Sequence, residues 1–437
     1  FQAGEIYGGL NGVWDYGPLG AELKRNLKDY WWRKTVQERD DMLGMDGAIL
    51  THQDVLKASG HVGGFSDPMV DCKTCKGRFR ADNLDTLKCG QKPSCKPGEH
   101  KECQLTEPRA FDLMLSTKLG ALATDNDPKA VAYLRPETAQ SIFVQYKNVL
   151  DSNRVKLPFG IAQIGKSFRN EINPRNYTFR SREFEQMEIE YFCRPEDGMR
   201  LTEEWLETRL GFYEQIGIPR EKLHILDVPD GERAFYSKKT YDIEYEFPFG
   251  IQELEGVAYR TDYDLGVHQK GANKPLEYFD EETKEKLLPH VVEPSAGCDR
   301  TVLALICEAF DEEEVSDDKG KSEVRTVMRF VPRMAPIKVG IFPLLKKNEE
   351  QVAIARKIQA TLRPWMNVYY DDGGAVGRRY RRQDEVGTPF CVTVDFETLG
   401  ESGEALKNTV TIRHRDSMAQ ERLPVDQLLP WLLERVR

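Results

Sequence analysis

The chain has 437 residues, of which 40% are hydrophobic and 31% charged, and its formal net charge is −10. That length exceeds one ordinary core and points to two or three domains, in a globular composition without low-complexity tracts. The acidic balance excludes general affinity for nucleic acid, which relies on Lys and Arg neutralising phosphates, so such a partner must be met by a local basic patch. No apolar run approaches the roughly 20 residues that span a bilayer, and the start lacks a signal-peptide pattern, so no membrane role is expected. The chain starts at Phe1 rather than Met, and a further N-terminal piece is expected. Five of the nine cysteines fall between Cys72 and Cys103, a clustering that suits a metal site in a cytoplasmic protein better than a secreted disulfide framework.

Pro18 opens a segment with Leu19, Leu23, Leu27 and Tyr30/Trp31 at helical spacing, which reads as an amphipathic helix to about Gln37. Residues 71–106 lose that periodicity, fill with Cys, Lys, Gly and Pro, and read as an irregular insertion. A second helix is expected from Arg135-Pro136-Glu137-Thr138, with Ala139, Ile142, Phe143, Tyr146 and Leu150 inward. Two extended runs, 159–168 and 182–192, flank a polar loop containing Pro174 and suggest a long antiparallel hairpin. A helix over 201–216 follows, then strands over 242–249 and 253–258, a strand ending at Glu293-Pro294, and a helix over 297–310. This is α+β grammar, with an antiparallel sheet and flanking helices. Near Pro336 it changes: strands at 337–342, 368–370, 390–396 and 409–412 alternate with helices at 351–362 and 424–436. The boundaries expected are therefore 1–334 for a large domain and 335–437 for a small α/β domain.

Alternation along 182–192 places Arg182, Phe184, Gln186, Glu188 and Glu190 on one face and Met187, Ile189 and Tyr191 on the other. The second set is an ordinary core face. The first reads either as a solvated face or as a ligand floor, where an aromatic stacks a base and carboxylates receive ammonium groups. Arg169, at the end of the preceding strand, is either a phosphate grip or the partner of Glu171 in a surface ion pair. Arg300 falls in the first turn of a helix, where the macrodipole disfavours a cation unless an anion is bound there. Cys72-Lys73-Thr74-Cys75 has zinc-ligand spacing, and His100 and Cys103 offer a second half, with Cys89 and Cys95 competing for those two places.

Three stretches carry a specific resemblance: Phe168-Arg169-Asn170-Glu171 through Phe184, Glu293-Pro294-Ser295 with Gly297-Cys298-Asp299-Arg300, and Arg135-Pro136-Glu137-Thr138-Ala139-Gln140. They resemble motifs 2 and 3 of the class II aminoacyl-tRNA synthetases, in the versions of the homodimeric glycyl-tRNA synthetase family, and the similarity runs the length of the chain. The resemblance implies ATP with Mg²⁺, glycine and tRNA(Gly) as ligands, a homodimer, and a C-terminal anticodon-binding domain. Arg169 would hold the α-phosphate and Glu171 the adenine amino group, with Phe184 stacked on the base and Arg300 opposite, near the γ-phosphate. Asn170, Phe179, Arg180, Ser181, Arg182 and Glu183 would close over the nucleotide, joined by Leu254, Gly297, Cys298 and Asp299, with Glu253 a candidate Mg²⁺ ligand. Arg169, Arg300 and Glu253 would be the catalytic set.

The glycine pocket implied is Glu137, Glu188, Glu293, Ser295 and Arg80, framed by Phe184, Glu185, Gln186, Met187, Pro294, Ala296 and Gly297. Residues 377–384 would face tRNA; from charge alone, Arg378-Arg379-Tyr380-Arg381-Arg382 reads equally as a solvated helix face. A relative that kept the fold for nucleic-acid binding without catalysis is the alternative, and it should have lost Arg169, Glu171, Glu293 or Arg300, all of which are present.

Overall fold

In the computed structural model, which describes residues 1–120, 130–316 and 322–436, Gly17 and Pro18 begin helix α1 (Pro18–Trp32). Proline suits this position because its missing N–H has no partner in the first turn anyway. Leu23, Leu27, Tyr30 and Trp31 are buried, whereas Leu19 in the opening turn is exposed. Strand β1 (Met42–Gly44) follows, then β2 (Ser66–Asp71), β3 (Arg78–Arg80) and β4 (Arg109–Asp112). β2 pairs antiparallel with both β3 and β4, so the cysteine-rich insertion is rooted in a small sheet rather than being irregular throughout.

Helix α2 (Ala139–Asn153) leads to β5 (Phe159–Phe168) and β6 (Glu183–Cys193), the expected long hairpin, in register from Phe159↔Phe192 to Phe168↔Glu183. Helix α3 (Gly198–Ile216) and strands β7 (Leu223–Asp227), β8 (Lys239–Phe247) and β9 (Gly250–Thr261) come next. They are followed by α4 (Tyr263–Ala272), β10 (His290–Gly297) and α5 (Cys298–Ala309). Seven strands form one sheet in the order β1-β5-β6-β10-β9-β8-β7, antiparallel except for the β1/β5 edge pair.

Period-two alternation sorts this sheet's two faces. Met187, Ile189, Tyr191, Val257 and Val292 enter a core with Leu23, Leu27 and Trp31 of α1, Leu210 and Tyr213 of α3, and Val302 and Leu305 of α5. On the opposite face, α2 and α4 cover only one end, where Phe159, Ile161, Phe192 and Val291 pack against Ile142, Phe143, Tyr146 and Leu265. Along β6 that face passes from apolar Phe192 through Glu190 and Glu188 to Gln186 and Phe184, and there the sheet opens into a cavity.

A hairpin of β11 (Phe310–Ser316) and β12 (Ser322–Met328) connects to a second sheet with its own core. Its elements are β13 (Val339–Pro343), α6 (Glu349–Leu362), β14 (Val368–Tyr370), α7 (Val376–Val386), β15 (Phe390–Val394), β16 (Thr409–His414), β17 (Gln420–Pro424) and α8 (Leu428–Val436). The strand order is β14-β13-β15-β16-β17, parallel for the first three and antiparallel thereafter. The two units are tied by buried charge. Arg325 of β12 donates to Asp384 of α7 at 2.9 Å, and Arg413 donates to the same carboxylate at 2.8 and 3.0 Å. Among the described residues no helix is long and apolar enough to cross a membrane.

Candidate active site

The open part of the large sheet forms the floor of a cavity of about 370 Å³. Two guanidiniums on its wall come from distant parts of the chain, Arg169 and Arg300. Arg169, immediately after β5, donates from Nε to the Pro136 carbonyl at 3.0 Å, and its guanidinium carbon lies 5.4 Å from the Phe184 ring centroid. Arg300, in the first turn of α5, donates to the Phe179 carbonyl at 3.1 Å and to Glu253 Oε2 at 3.1 Å, and lies 4.6 Å from the centre of the Phe179 ring. Both guanidiniums therefore have their direction fixed by backbone acceptors, while the helix N-terminus beside Arg300 adds positive potential.

The strand-to-helix turn before α2 is locked from below. Arg135 is buried and donates to the carbonyls of Lys166 at 2.7 Å and Gly47 at 2.8 Å. A Cβ at position 165 would stand 2.1 Å from the Arg135 Nη2 atom, so only glycine allows this guanidinium to pass beneath the sheet. Pro136, Glu137 and Thr138 are held as a result, and α2 starts at Ala139 rather than at Arg135.

Beyond the two arginines, carboxylates gather. Glu188 accepts from Ser295 Oγ at 2.9 Å and from Thr138 Oγ1. Glu293 accepts from Arg260 Nη1 at 2.6 Å, and Asp264 takes the rest of that guanidinium at 2.7 and 2.8 Å. Glu137 accepts from Gln140 at 2.9 Å and faces His61 Nε2 at 3.5 Å. Burial, with Arg260 opposing, pushes Glu293 up to about 8. Glu137 is buried too, yet His61 and Arg260 hold it well below the usual carboxylate range. The result is a strongly acidic, water-poor recess suited to a small ammonium compound.

Many residues expected at the site line the cavity: Arg169, Glu171, Phe179, Arg180, Ser181, Phe184, Glu185, Gln186, Glu253, Leu254, Glu293, Ser295, Gly297, Asp299 and Arg300. Glu137 and Glu188 lie beneath it as part of the acidic recess rather than on its wall. Others do not reach it. Met187, Ala296 and Cys298 belong to the core on the opposite face, and Pro294, opposite Val257, shares their side by alternation. Asn170 spends its backbone N–H on Leu113, and Arg182 turns outward to the carbonyls of Asn11 at 2.8 Å and Glu171 at 3.2 Å. Glu183 pairs with Lys166, and Arg80 stays in the insertion with Asp67 at 2.9 Å and Asp82 at 2.6 Å.

Sequence reading passed over Asp242, Arg260 and the 228–237 loop, which supplies Tyr236 to the cavity wall. Asp242 is pushed up to about 7 by burial and by the neighbouring Glu253 and Glu244. The i,i+4 pair Arg260–Asp264, spanning the end of β9 and the start of α4, was the available signal for Arg260.

In the insertion, Cys72 and Cys103 sulfurs are 3.4 Å apart, Cys89 lies within hydrogen-bonding reach of Cys103, and Cys75 packs beside them. Backbone N–H groups of Cys75 and Gly98 point at the Cys72 and Cys103 sulfurs at 3.4 and 3.1 Å. His100 accepts the Glu102 N–H at Nδ1 at 3.4 Å, and the Cys95 sulfur lies beside Ser94. In the small unit, Gln383 and Asp384 are buried and cannot face a partner, and Arg379 is buried against the Gly374 carbonyl at 2.7 Å. Arg381 and Arg382 pair with Glu323 and Asp371, while Arg378 is exposed.

Residues 122–310 match the family model described as the tRNA synthetase class II core domain (G, H, P, S and T), and residues 338–435 match the anticodon binding domain. The fold and the paired arginine segments agree with that class. A glycine–tRNA ligase of Thermobifida fusca is 49% identical over 449 aligned positions, covering 100% of this chain and 95% of the relative. Those of Treponema denticola and Clostridium tetani are 50% and 47% identical, covering 98% and 100% of this chain and 92% and 95% of their own lengths. The chain belongs to the glycine–tRNA ligase family.

Proposed function

We propose that this protein is an active glycine–tRNA ligase: the glycine carboxylate attacks the α-phosphorus of ATP, expelling pyrophosphate to give glycyl-adenylate, and the glycyl group then passes to the 3′-terminal hydroxyl of tRNA(Gly) with release of AMP. The observation that carries this reading is the meeting of Arg169, Phe184 and Arg300 on one cavity whose far end is the Glu137/Glu188/Glu293 recess. ATP lies with its adenine on Phe184 and its amino group toward Glu171. Arg169 receives the α-phosphate and Arg300 the γ-phosphate. Glycine places its ammonium among the carboxylates, so its carboxylate points back at the α-phosphorus.

No protein nucleophile is needed. Holding the two reactants in line converts a bimolecular step into an intramolecular one, and fixed guanidiniums stabilise charge as it develops on the α-phosphate. Cys298 is a packing residue, fully buried beneath the helix start. Glu253, half-exposed, and Asp242 offer the oxygen ligands that suit Mg²⁺ accompanying ATP, where the ion would neutralise phosphate charge. Glycine has no side chain to grip, so selection rests on ammonium contacts and on the packed recess rejecting any added carbon.

The division into a catalytic unit over 1–334 and an anticodon-binding unit over 335–437 is part of the same reading, as are a cytoplasmic location and a homodimer with α1 near its interface. A structural Zn²⁺ is part of the same reading: Cys72, Cys75, Cys89 and Cys103 gather in the insertion, with N–H groups directed at two of the sulfurs, and would close around the ion on binding it. Arg378, exposed on α7, is the cation of that helix best placed to meet tRNA phosphate. Pyrophosphate exchange that requires glycine, with none from alanine or serine, is the expected result. Absence of exchange with every amino acid leaves the non-catalytic binding protein in its place.

A further inference from the structure

Beneath the acidic recess, Glu190 is anomalous. Its side chain is fully inaccessible, and neither carboxylate oxygen has a hydrogen-bond partner. An oxygen of Glu190, one of Glu188 and one of Glu293 lie within 4.8 Å of one another. Every neighbouring carboxylate is served: Glu188 by Thr138 and Ser295, Glu293 by Arg260, and Asp264 by Arg260 and Gln140. Three of the five N–H donors of Arg260 are taken by Glu293 and Asp264, and none of them bonds Glu190. The other groups facing Glu190 are Glu188 on its own strand, Glu293 on β10, and Arg260 and Asp264 from β9 and α4. Farther out, Glu137 and His61 pair with each other.

A buried ionised carboxylate without a donor, beside two others, carries an uncompensated desolvation cost. A protonated one supplies its own donor and removes a charge. Resting on the reading of the recess as the glycine pocket, we propose that Glu190 is a positioning residue: a neutral carboxylic acid that shares its proton with Glu293 and braces it opposite Arg260. Glu137 and Glu188 are then left as the charged groups for the substrate ammonium. Burial and the two flanking carboxylates also drive Glu190 well above the usual carboxylate range, in the direction this arrangement requires.

Three forms of the full chain test it: wild type, Glu190→Gln and Glu190→Ala. Glutamine keeps a neutral donor of the same length, so its KM for glycine in pyrophosphate exchange should stay within about twofold of wild type. Alanine leaves Glu293 without its brace and should raise KM for glycine by about tenfold, with a smaller change in kcat. Wild-type KM should rise on the alkaline side, and Glu190→Gln should not share that rise. Infrared spectra without substrate give a readout independent of catalysis: a protonated-carboxyl band, sensitive to deuterium, present in wild type and missing from Glu190→Gln.

Glutamine impairing glycine binding as severely as alanine would overturn the proposal, since a charge would then be required, as for a bound cation. Unchanged KM and pH profile in both variants would overturn it as well, as would the absence of the infrared difference. A wild-type enzyme inert toward glycine but showing that difference would instead remove the ligase reading and leave the acid pair standing.

Discussion

Lys24 of α1 reaches Asp299 of α5, its Nζ lying 2.6 Å from Oδ1, and the same ammonium is 2.7 Å from Glu185 at the start of β6. Asp299 also accepts from Tyr16 at 2.7 Å and from the Glu185 backbone N–H at 2.6 Å. One carboxylate therefore registers the helix that carries Arg300 against the strand that carries Phe184. Lys24→Met should leave Asp299 without its cation, while Glu185 keeps Lys28 at 3.0 Å, and raise KM for ATP by about tenfold while the fold survives. Lys24→Arg should recover part of that loss. Exchange kinetics with circular dichroism as the folding control decide it, and an unchanged KM in Lys24→Met rejects the link.

Arg169→Ala should lower adenylate formation by about a hundredfold to a thousandfold, the range for losing one preorganised charge-stabilising group. Lysine at this position should restore little, because it lacks the planar fork that grips phosphate while Nε holds the Pro136 carbonyl. Single-turnover measurement of adenylate separates this from an effect on tRNA.

Elemental analysis distinguishes the two ligand sets in the insertion. On the zinc reading, Cys89→Ser and Cys72→Ser should both lose the metal and His100→Ala should keep it, with His100 Nδ1 accepting the Glu102 N–H. Retention of metal by Cys89→Ser, with loss in His100→Ala, reverses the assignment.

His61 is buried, which opposes charge on its ring, yet the Glu137 carboxylate outweighs this and raises its pKa. A histidine raised in the folded state binds its proton more tightly there than in the unfolded chain. Its stabilising contribution is thus present below the ordinary histidine range and disappears as pH rises through the raised value. The melting-temperature difference between wild type and His61→Gln should be largest near pH 6 and shrink as pH rises toward alkaline values. Thermal unfolding across that range checks it, and a gap that widens with pH contradicts the pairing.

Asp384→Ala should destabilise the chain by about 3–5 kcal/mol, because Arg325 and Arg413 would be left buried without their shared carboxylate. Chemical denaturation monitored by tryptophan fluorescence reads this directly.

Where periodicity is strong and contacts are local, the sequence was readable. The β5/β6 hairpin and the inward row of Ile142, Phe143, Tyr146 and Leu150 on α2 follow from spacing alone. Helix α4 escaped because its buried positions include Asp264 and His268, polar residues that earn no place in an apolar pattern. The acidic run of β11 escaped because its strand state depends on pairing with β12, a tertiary contact that propensity does not encode. Within the site, motif spacing found the arginines; alternation placed Met187 on the core face, where it lies, although the family resemblance enlisted it and Ala296 for the pocket. Arg379, Gln383 and Asp384 looked like an exposed surface because charge usually is, until Arg325 arrived from elsewhere in the chain.

Asn26 of α1 donates to both the Met334 and Ala335 carbonyls, at 3.2 and 3.0 Å, where the large unit gives way to the small one. The junction is therefore splinted by the helix that also touches Asp299, and any swing of the small unit must break those two bonds. A tRNA lying along both units would meet a ruler of set length, so a substrate whose ends are spaced differently would be refused by geometry before any base is read.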